Sequence, residues 1–214
     1  MSEKLLEGYK RFKEGYYAQN REKIRELAQD QRPSYVLITC CDARLEPSRI
    51  FDTEPGDLFV IRNVANLVPP YEVEGSYHGT SAALQYAITV LEAPEIIVLG
   101  HSRCGGIRSL VLDPDKMEKD SFISRWMSIV APVAKLADPD KLNDPKTFSQ
   151  CEQAAIGFSL RNLLTYPWIA SRVAAGTLQI NGWHYNIYSG ALKKVHDQDT
   201  ISTIVEASDD ASAD

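Results

Sequence analysis

The run Cys40-Cys41-Asp42-Ala43-Arg44 and the later run His101-Ser102-Arg103-Cys104-Gly105-Gly106 bring together residue types that could do chemistry. Two thiols and an imidazole are the ligand set of a zinc site: soft thiolates with one imidazole suit a borderline-soft tetrahedral ion, and three protein ligands leave a fourth position for water or substrate. That open position points to catalysis. A closed structural site would need another Cys or His nearby, and Cys151, His78, His184 and His196 stand in no finger or ribbon spacing. Two thiolates cancel the ion's formal charge, so such a site polarises water less than three imidazoles would, and it needs help. Asp42 and Arg44 can give it, the carboxylate accepting the proton of a metal-bound hydroxide and the guanidinium orienting the carboxylate in a charge-assisted pair. The same carboxylate could instead fill the fourth position and close the site.

The elements that must position these groups alternate along the chain. Leu5, Tyr9, Phe12 and Tyr16 fall on one helical stripe, and a second helical run continues through Ile24 and Leu27. This arm (1–30) packs on its own domain or lies across a second subunit. Tyr35 to Thr39 is an almost continuous apolar run, as in a strand buried on both faces of a parallel sheet, with Cys40 at its end. Asp57 to Arg62 and Ile96 to Leu99 are further strands, with a helix from Thr80 to Glu92 between them, and Gly105-Gly106 opens a helix through Leu112. The expected fold class is therefore α/β: a mostly parallel central sheet flanked by helices, with ligands binding outside the carboxyl ends of the strands. Helices over Phe122 to Leu136 and Ser149 to Leu164 follow. Gly176 stops another, and Leu178 to Ile187 is expected as a hairpin turning at Asn181-Gly182, the C-terminal edge of the sheet.

With 214 residues, the chain is expected to form a single domain spanning 1–214, with 208–214 a frayed acidic tail. A chain of this size buries about 70% of its unfolded surface and needs no staple to fold. Four cysteines in no framework fit a reducing compartment, and the N-terminus lacks the basic-then-apolar run of a signal peptide, so a cytoplasmic location is expected. No apolar run approaches the roughly 20 residues of a membrane span, and a net charge of -6 with scattered basic residues disfavours nucleic acid; neither is an expected partner.

The spacing Cys-x-Asp-x-Arg followed much later by His-x-x-Cys resembles the signature of the β-class carbonic anhydrases, of the bacterial or plant-like type with an open active site. It is met here by Cys40, Asp42, Arg44, His101 and Cys104. Gln31-Arg32-Pro33, Glu54 to Phe59, Arg62 to Asn66, Gly79-Thr80 and Cys104 to Gly106 are similar to further blocks of that family, covering most of Leu5 to Leu192. The resemblance implies reversible hydration of carbon dioxide to bicarbonate and a proton, one Zn2+ per subunit on Cys40, His101 and Cys104, zinc-bound hydroxide as nucleophile, and the dyad role for Asp42 and Arg44. It implies a substrate pocket of Gln31, Phe59, Val64, Tyr86 and the Gly105 backbone, part of it supplied by a neighbouring subunit in a homodimer or dimer of dimers. It also selects Cys40 over Cys41 as the ligand. Two positions depart from the pattern. Ala43 stands where many members carry Ser, and Leu37 stands where a bicarbonate-gated subgroup has Trp, although Arg62, which helps form that gate, is present. The ungated arrangement, with Asp42 off the zinc at neutral pH, is the expectation.

Other readings of the same residues exist. Cys104 could be a thiol nucleophile with His101 as base, but a thiol phosphatase loop wants Arg six residues on, whereas Arg108 is four on, and Cys40, Asp42 and Arg44 would be idle. A non-catalytic zinc or thiol sensor would use Cys40, Cys41 and Cys104 without turnover. A same-fold hydrolase of carbonyl sulfide or carbon disulfide would use the same site. Of the remaining groups, Cys41 is expected as an unliganded core thiol and Cys151 as packing; His184 and His196 are expected without partners. His78 is expected to cap a helix or stand exposed, with a proton relay as the sharper alternative.

Overall fold

The computed structural model describes residues 2–75, 78–112, 118, 120–141, 144–195 and 201–205. The expected frayed tail and His196 lie outside them. In chain order the elements are α1 (Glu3–Phe12), α2 (Arg21–Leu27), β1 (Tyr35–Cys40), α3 (Pro47–Ile50), β2 (Leu58–Asn63), α4 (Gly79–Gln85) and β3 (Glu95–His101). They continue with α5 (Gly105–Leu112), α6 (Phe122–Met127), α7 (Pro145–Leu163), α8 (Pro167–Ala174), β4 (Gln179–Tyr185), β5 (Leu192–Val195) and β6 (Ile201–Val205).

The strands form one sheet in the order β2-β1-β3-β4-β5-β6, parallel from β2 to β4 and antiparallel beyond. The apolar runs explain the centre. Val36 to Cys40 and Ile96 to His101 are buried throughout, as central strands of a parallel sheet are, with Leu37, Ile97 and Leu99 on one face packed by Phe51, Leu58 and Trp183. On the other face Val36, Ile38, Ile96 and Val98 meet Leu84, Ile88, Ile156 and Leu160. Around the strand ends Cys40, Leu45, Leu67 and Cys104 pack with Ile107, Met127, Val133 and Cys151. Register aligns Thr39 with Leu99 and His101 with Tyr185, so β1, β3 and β4 end close together, and the ends of β1 and β3 carry Cys40 and His101.

Several expectations are corrected. Asn181-Gly182 is not a turn: β4 runs straight through it beside β3, and the chain reverses only between Tyr185 and Leu192. Gly182 is needed for close packing, since a Cβ there would stand 2.7 Å from Ile156 Cγ2 and 2.9 Å from Leu160 Cδ1. The helix expected over Thr80 to Glu92 is regular only to Gln85. It then widens into a π-turn over Tyr86–Val90, where Leu91 N donates to Tyr86 O at 3.1 Å. The helix expected over Phe122 to Leu136 is α-helical only to Met127; a 3₁₀ segment over Ser128–Leu136 follows, kinked at Val130 and carrying Pro132. α7 starts earlier than expected because Asp144 caps it, accepting from Lys146 N, with Pro145 in the first turn.

The arm divides in two. No residue of α1 is buried, and Leu5, Tyr9 and Phe12 face solvent. The second half is fastened: the Tyr16 hydroxyl donates to Glu54, Lys23 lies 3.6 Å from the same carboxylate, and Leu27 seats against Gly56. Of the two arrangements expected for the stripe, packing on its own domain is not met by α1 among the described residues.

Candidate metal centre

Cys40 is the last residue of β1, His101 the last of β3, and Cys104 the residue before α5. All three are buried, and their ligand atoms lie within 4.8 Å of one another. His101 Nδ1 is 2.9 Å from Ser102 O. A carbonyl only accepts, so Nδ1 carries the proton and the lone pair is on Nε2. Nε2 is buried and has no hydrogen-bond partner. A buried nitrogen left unpaired is costly, and one aimed at two sulfurs is what a metal ligand looks like before the metal is considered. The donor set thus fits a thiophilic divalent cation.

The electrostatics agree. A hydrogen bond from the Cys104 thiol, opposed by burial and reinforced by His101 and the amides of Ala65 and Asp42, brings the Cys40 pKa down to about 4. That same bond to Cys40, together with burial, pushes Cys104 far upward. Burial disfavours the His101 cation, but the neighbouring Cys40 sulfur outweighs it and raises its pKa. Without a cation the three groups must share protons to balance thiolate charge in a buried space; a divalent ion would replace those protons.

The backbone serves the same sulfur. Ala65 adopts φ 63°, rare for a residue with a Cβ, and its N–H points at Cys40 Sγ from 3.4 Å. Trp126 Nε1 holds this turn by donating to Val64 O at 2.8 Å. Arg62 fastens the chain after β1, donating to Cys40 O at 3.3 Å and to Leu45 O, with Glu46 3.9 Å away.

Asp42 and Arg44 sit at the mouth. Arg44 Nε donates to Asp42 Oδ1 at 2.9 Å and Nη2 to Oδ2 at 2.7 Å, while Arg44 N adds a third bond to Oδ1 at 2.9 Å. The Arg44 hydrogen bonds hold the Asp42 carboxyl well below the usual carboxylate range. Asp42 Oδ2 stands 3.9 Å from His101 Nε2. Arg44 also donates to Arg103 O at 3.0 Å, tying the two signature segments together.

The five residues expected to line the substrate pocket are not gathered within one chain. Val64 and Gly105 line a cavity of 390 Å³ beside Cys104, with Gly106, Ser109 and Met127. Phe59 and Tyr86 lie near each other, ring centroids 6.3 Å apart, but Phe59 is opposite Val36 at the far end of β1 from Cys40. Gln31 precedes that far end and is exposed.

Two lesser expectations are overturned. Cys41 is exposed, not a core thiol, because an extended chain turns successive side chains to opposite sides. His184 does have a partner: it is buried, its Nε2 3.0 Å from Glu152 Oε2. Glu152 went unnoticed in the sequence, yet the signal was there, an acidic residue on the helical face that carries Ala155, Ile156 and Ser159 into the core. Cys151 is packing, fully buried, and His78 is exposed just before α4, its ring 3.0 Å from Glu74 O.

A mostly parallel α/β sheet with a cysteine and a histidine at two strand ends and a second cysteine at the turn into the next helix, all buried and fit for a metal, defines a class of metalloprotein. Within that class the comparisons are specific. A carbonic anhydrase family model matches residues 35–192. The chain is 38% identical over 192 residues to beta carbonic anhydrase 3 of Arabidopsis thaliana, spanning 88% of this chain and 74% of that one. It is 39% identical over 186 residues to the chloroplastic beta carbonic anhydrase 5 of the same plant, spanning 86% and 61%. The solved structure of the β-carbonic anhydrase CcaA superposes with a TM-score of 0.83 at 35% identity, covering 90% of this chain and 86% of that one. The chain belongs to the β-carbonic anhydrase family, and with the family comes carbonic anhydrase activity, the interconversion of carbon dioxide and bicarbonate.

Proposed function

We propose that the chain hydrates carbon dioxide with zinc held by Cys40, His101 and Cys104, and with Asp42 and Arg44 as the working dyad. When bound, zinc supplies the Lewis acidity that makes water a nucleophile near neutral pH, chemistry for which the three-histidine carbonic anhydrases are the standard case. The observation that carries the reading is the pairing of an unpartnered, buried His101 Nε2 with a carboxylate, 3.9 Å away, whose two oxygens are both engaged by Arg44. That grip favours the open arrangement. Asp42 stays ionised and off the ligand set, ready to accept a hydrogen bond from the attacking water and fix its lone pair toward the substrate carbon. Gly105, the first residue of α5, has no intrahelical acceptor for its N–H, which suits the substrate oxygen that gains charge. Val64 gives an apolar wall.

A second copy of the chain would complete the pocket with its own Gln31, Phe59 and Tyr86. In support, Tyr86 is 44% exposed, the edge strand β2 leaves Val60 open, and α1 has an uncovered apolar stripe. Two solved relatives from Sordaria macrospora are tetrameric by name. Four free cysteines suit a reducing compartment such as the cytoplasm, and no helix among the described residues is long and apolar enough to cross a membrane.

Stopped-flow carbon dioxide hydration with a pH indicator, on protein of measured zinc content, tests the reading. Zinc near about one per chain with fast turnover at neutral pH is expected. Turnover confined to alkaline pH would mean that Asp42 closes the site; full zinc without turnover at any pH would move the reading to a sulfur-analogue hydrolase or a sensor.

A further inference from the structure

Beside Cys104 lies a second, buried carboxylate with no role in the proposed reaction. Glu152 Oε1 accepts from the Cys104 backbone N–H at 3.1 Å, and Oε2 meets His184 Nε2 at 3.0 Å. Both side chains are 3% exposed. Burying two ionisable groups side by side costs free energy that apolar residues of similar size would not, so the arrangement calls for a reason.

Its geometry supplies one. Cys104 stands just before α5, and an amide there has no intrahelical acceptor. Its neighbour Arg103 is held at φ 57°, Ser102 N is tied to Tyr185 O at 2.9 Å and Arg103 O accepts from Arg44, so the ligand loop is sharply bent and fastened ahead of Cys104. Glu152 pins the other end. It reaches that far because α7 lies unusually close to the sheet: Ile156, one turn on, rests against Gly100 and Gly182, where a Cβ would come within 2.7 Å of it in each case. His184, on β4, then leaves Glu152 only one orientation, with Oε1 turned to the Cys104 amide.

We infer that Glu152 is a positioning residue for the metal ligand Cys104, locked by His184, and that the pair sets how tightly the site holds its metal. The inference rests on the zinc-site reading above. With both side chains 3% exposed, the role inferred for the pair runs through Cys104.

The test uses the full chain, with zinc affinity measured by competition against a chromophoric chelator and the thiolate-to-metal charge-transfer bands recorded after cobalt(II) substitution. Glu152→Ala should bind zinc at least about tenfold more weakly and shift the cobalt bands, at a temperature where circular dichroism shows it folded. Glu152→Gln should recover most of the affinity, because its carbonyl oxygen can still accept from Cys104 and its amide can donate to His184 Nε2 once the ring takes the tautomer with its proton on Nδ1. A purely structural staple would lower the melting temperature yet leave the affinity and spectrum of the folded protein unchanged, and that result would overturn the inference. If Glu152→Ala does not fold, His184→Leu and His184→Gln decide: weaker zinc binding in the first with recovery in the second supports the pair, and wild-type binding in both refutes it. Wild-type protein that bound neither metal would sink the zinc-site reading and this inference together, whereas normal wild-type binding beside an indifferent Glu152→Ala would sink this inference alone.

Discussion

Two carboxylate pairs flank the same cluster of ligands and differ in almost everything else. Asp42 and Arg44 stand at the mouth, 16% and 49% exposed, joined by two parallel charge-assisted hydrogen bonds. Glu152 and His184 are sealed behind Cys104 at 3% each. An ion pair open to water contributes little to stability, so what the first pair offers is a carboxylate held ionised and oriented at an accessible place, which the proposed mechanism uses. The second can reach nothing but its neighbours, and what it can do is fix them. Exposure thus separates the pair proposed to react from the pair proposed to position.

The largest expected effect removes the object both pairs serve. Cys40→Ser replaces a buried thiolate with a hydroxyl that stays protonated, and it should lose bound zinc and carbon dioxide hydration together; zinc analysis on the folded variant beside stopped-flow rates checks it. Retained zinc with activity would move the ligand role to Cys41 next door. Asp42→Asn comes next and should part the two properties. The amide keeps the shape and leaves zinc content unchanged, but it cannot accept the proton's hydrogen bond in the same way, and turnover should fall by about 10²- to 10⁴-fold. A fully active Asp42→Asn at neutral pH would end the dyad mechanism. The wild-type pair also has a pH signature. Its Asp42 pKa is lowered by Arg44, so the pair's contribution is complete above the carboxylate's ordinary pKa and disappears only as pH falls through the lowered native value. Acid titration of the zinc-loaded enzyme should therefore show no loss assignable to Asp42 near neutrality.

The mouth was legible in the sequence and the back was not, for a physical reason. Cys40, Asp42 and Arg44 are local, their types are rare together, and the strands that carry Cys40 and His101 are buried on both faces and so read as apolar runs. Glu152 meets its partners across 48 and 32 residues of sequence, and nothing near it in the chain announces them. Asn181-Gly182 misled for the same reason. The pair has the local chemistry of a hairpin turn, but Gly182 is there to admit Ile156 and Leu160 from across the sheet. Likewise Phe59 and Tyr86 lie together at the far end of β1 from Cys40, away from the cavity that Val64 and Gly105 line, and nothing near either group in the chain announces that split.

The smallest effect probes how the back is built rather than what it touches. In Gly182→Ala the new methyl would stand 2.7 Å from Ile156 Cγ2, 2.9 Å from Leu160 Cδ1 and 3.2 Å from Val195 O, so α7 must yield or the side chains must leave their rotamers. Overpacking of this kind costs about 1–3 kcal/mol, readable as a lower midpoint in denaturant with little change in slope. If α7 moves outward, Glu152 moves with it and its bond to the Cys104 amide lengthens, so a modest weakening of zinc binding should accompany the loss of stability while the Asp42–Arg44 pair, whose hydrogen bonds are to each other and to Arg103, keeps its turnover per bound metal. A variant destabilised to that extent with unaltered zinc affinity would show that Ile156 and Leu160 absorb the strain and that the glycine notch serves packing alone.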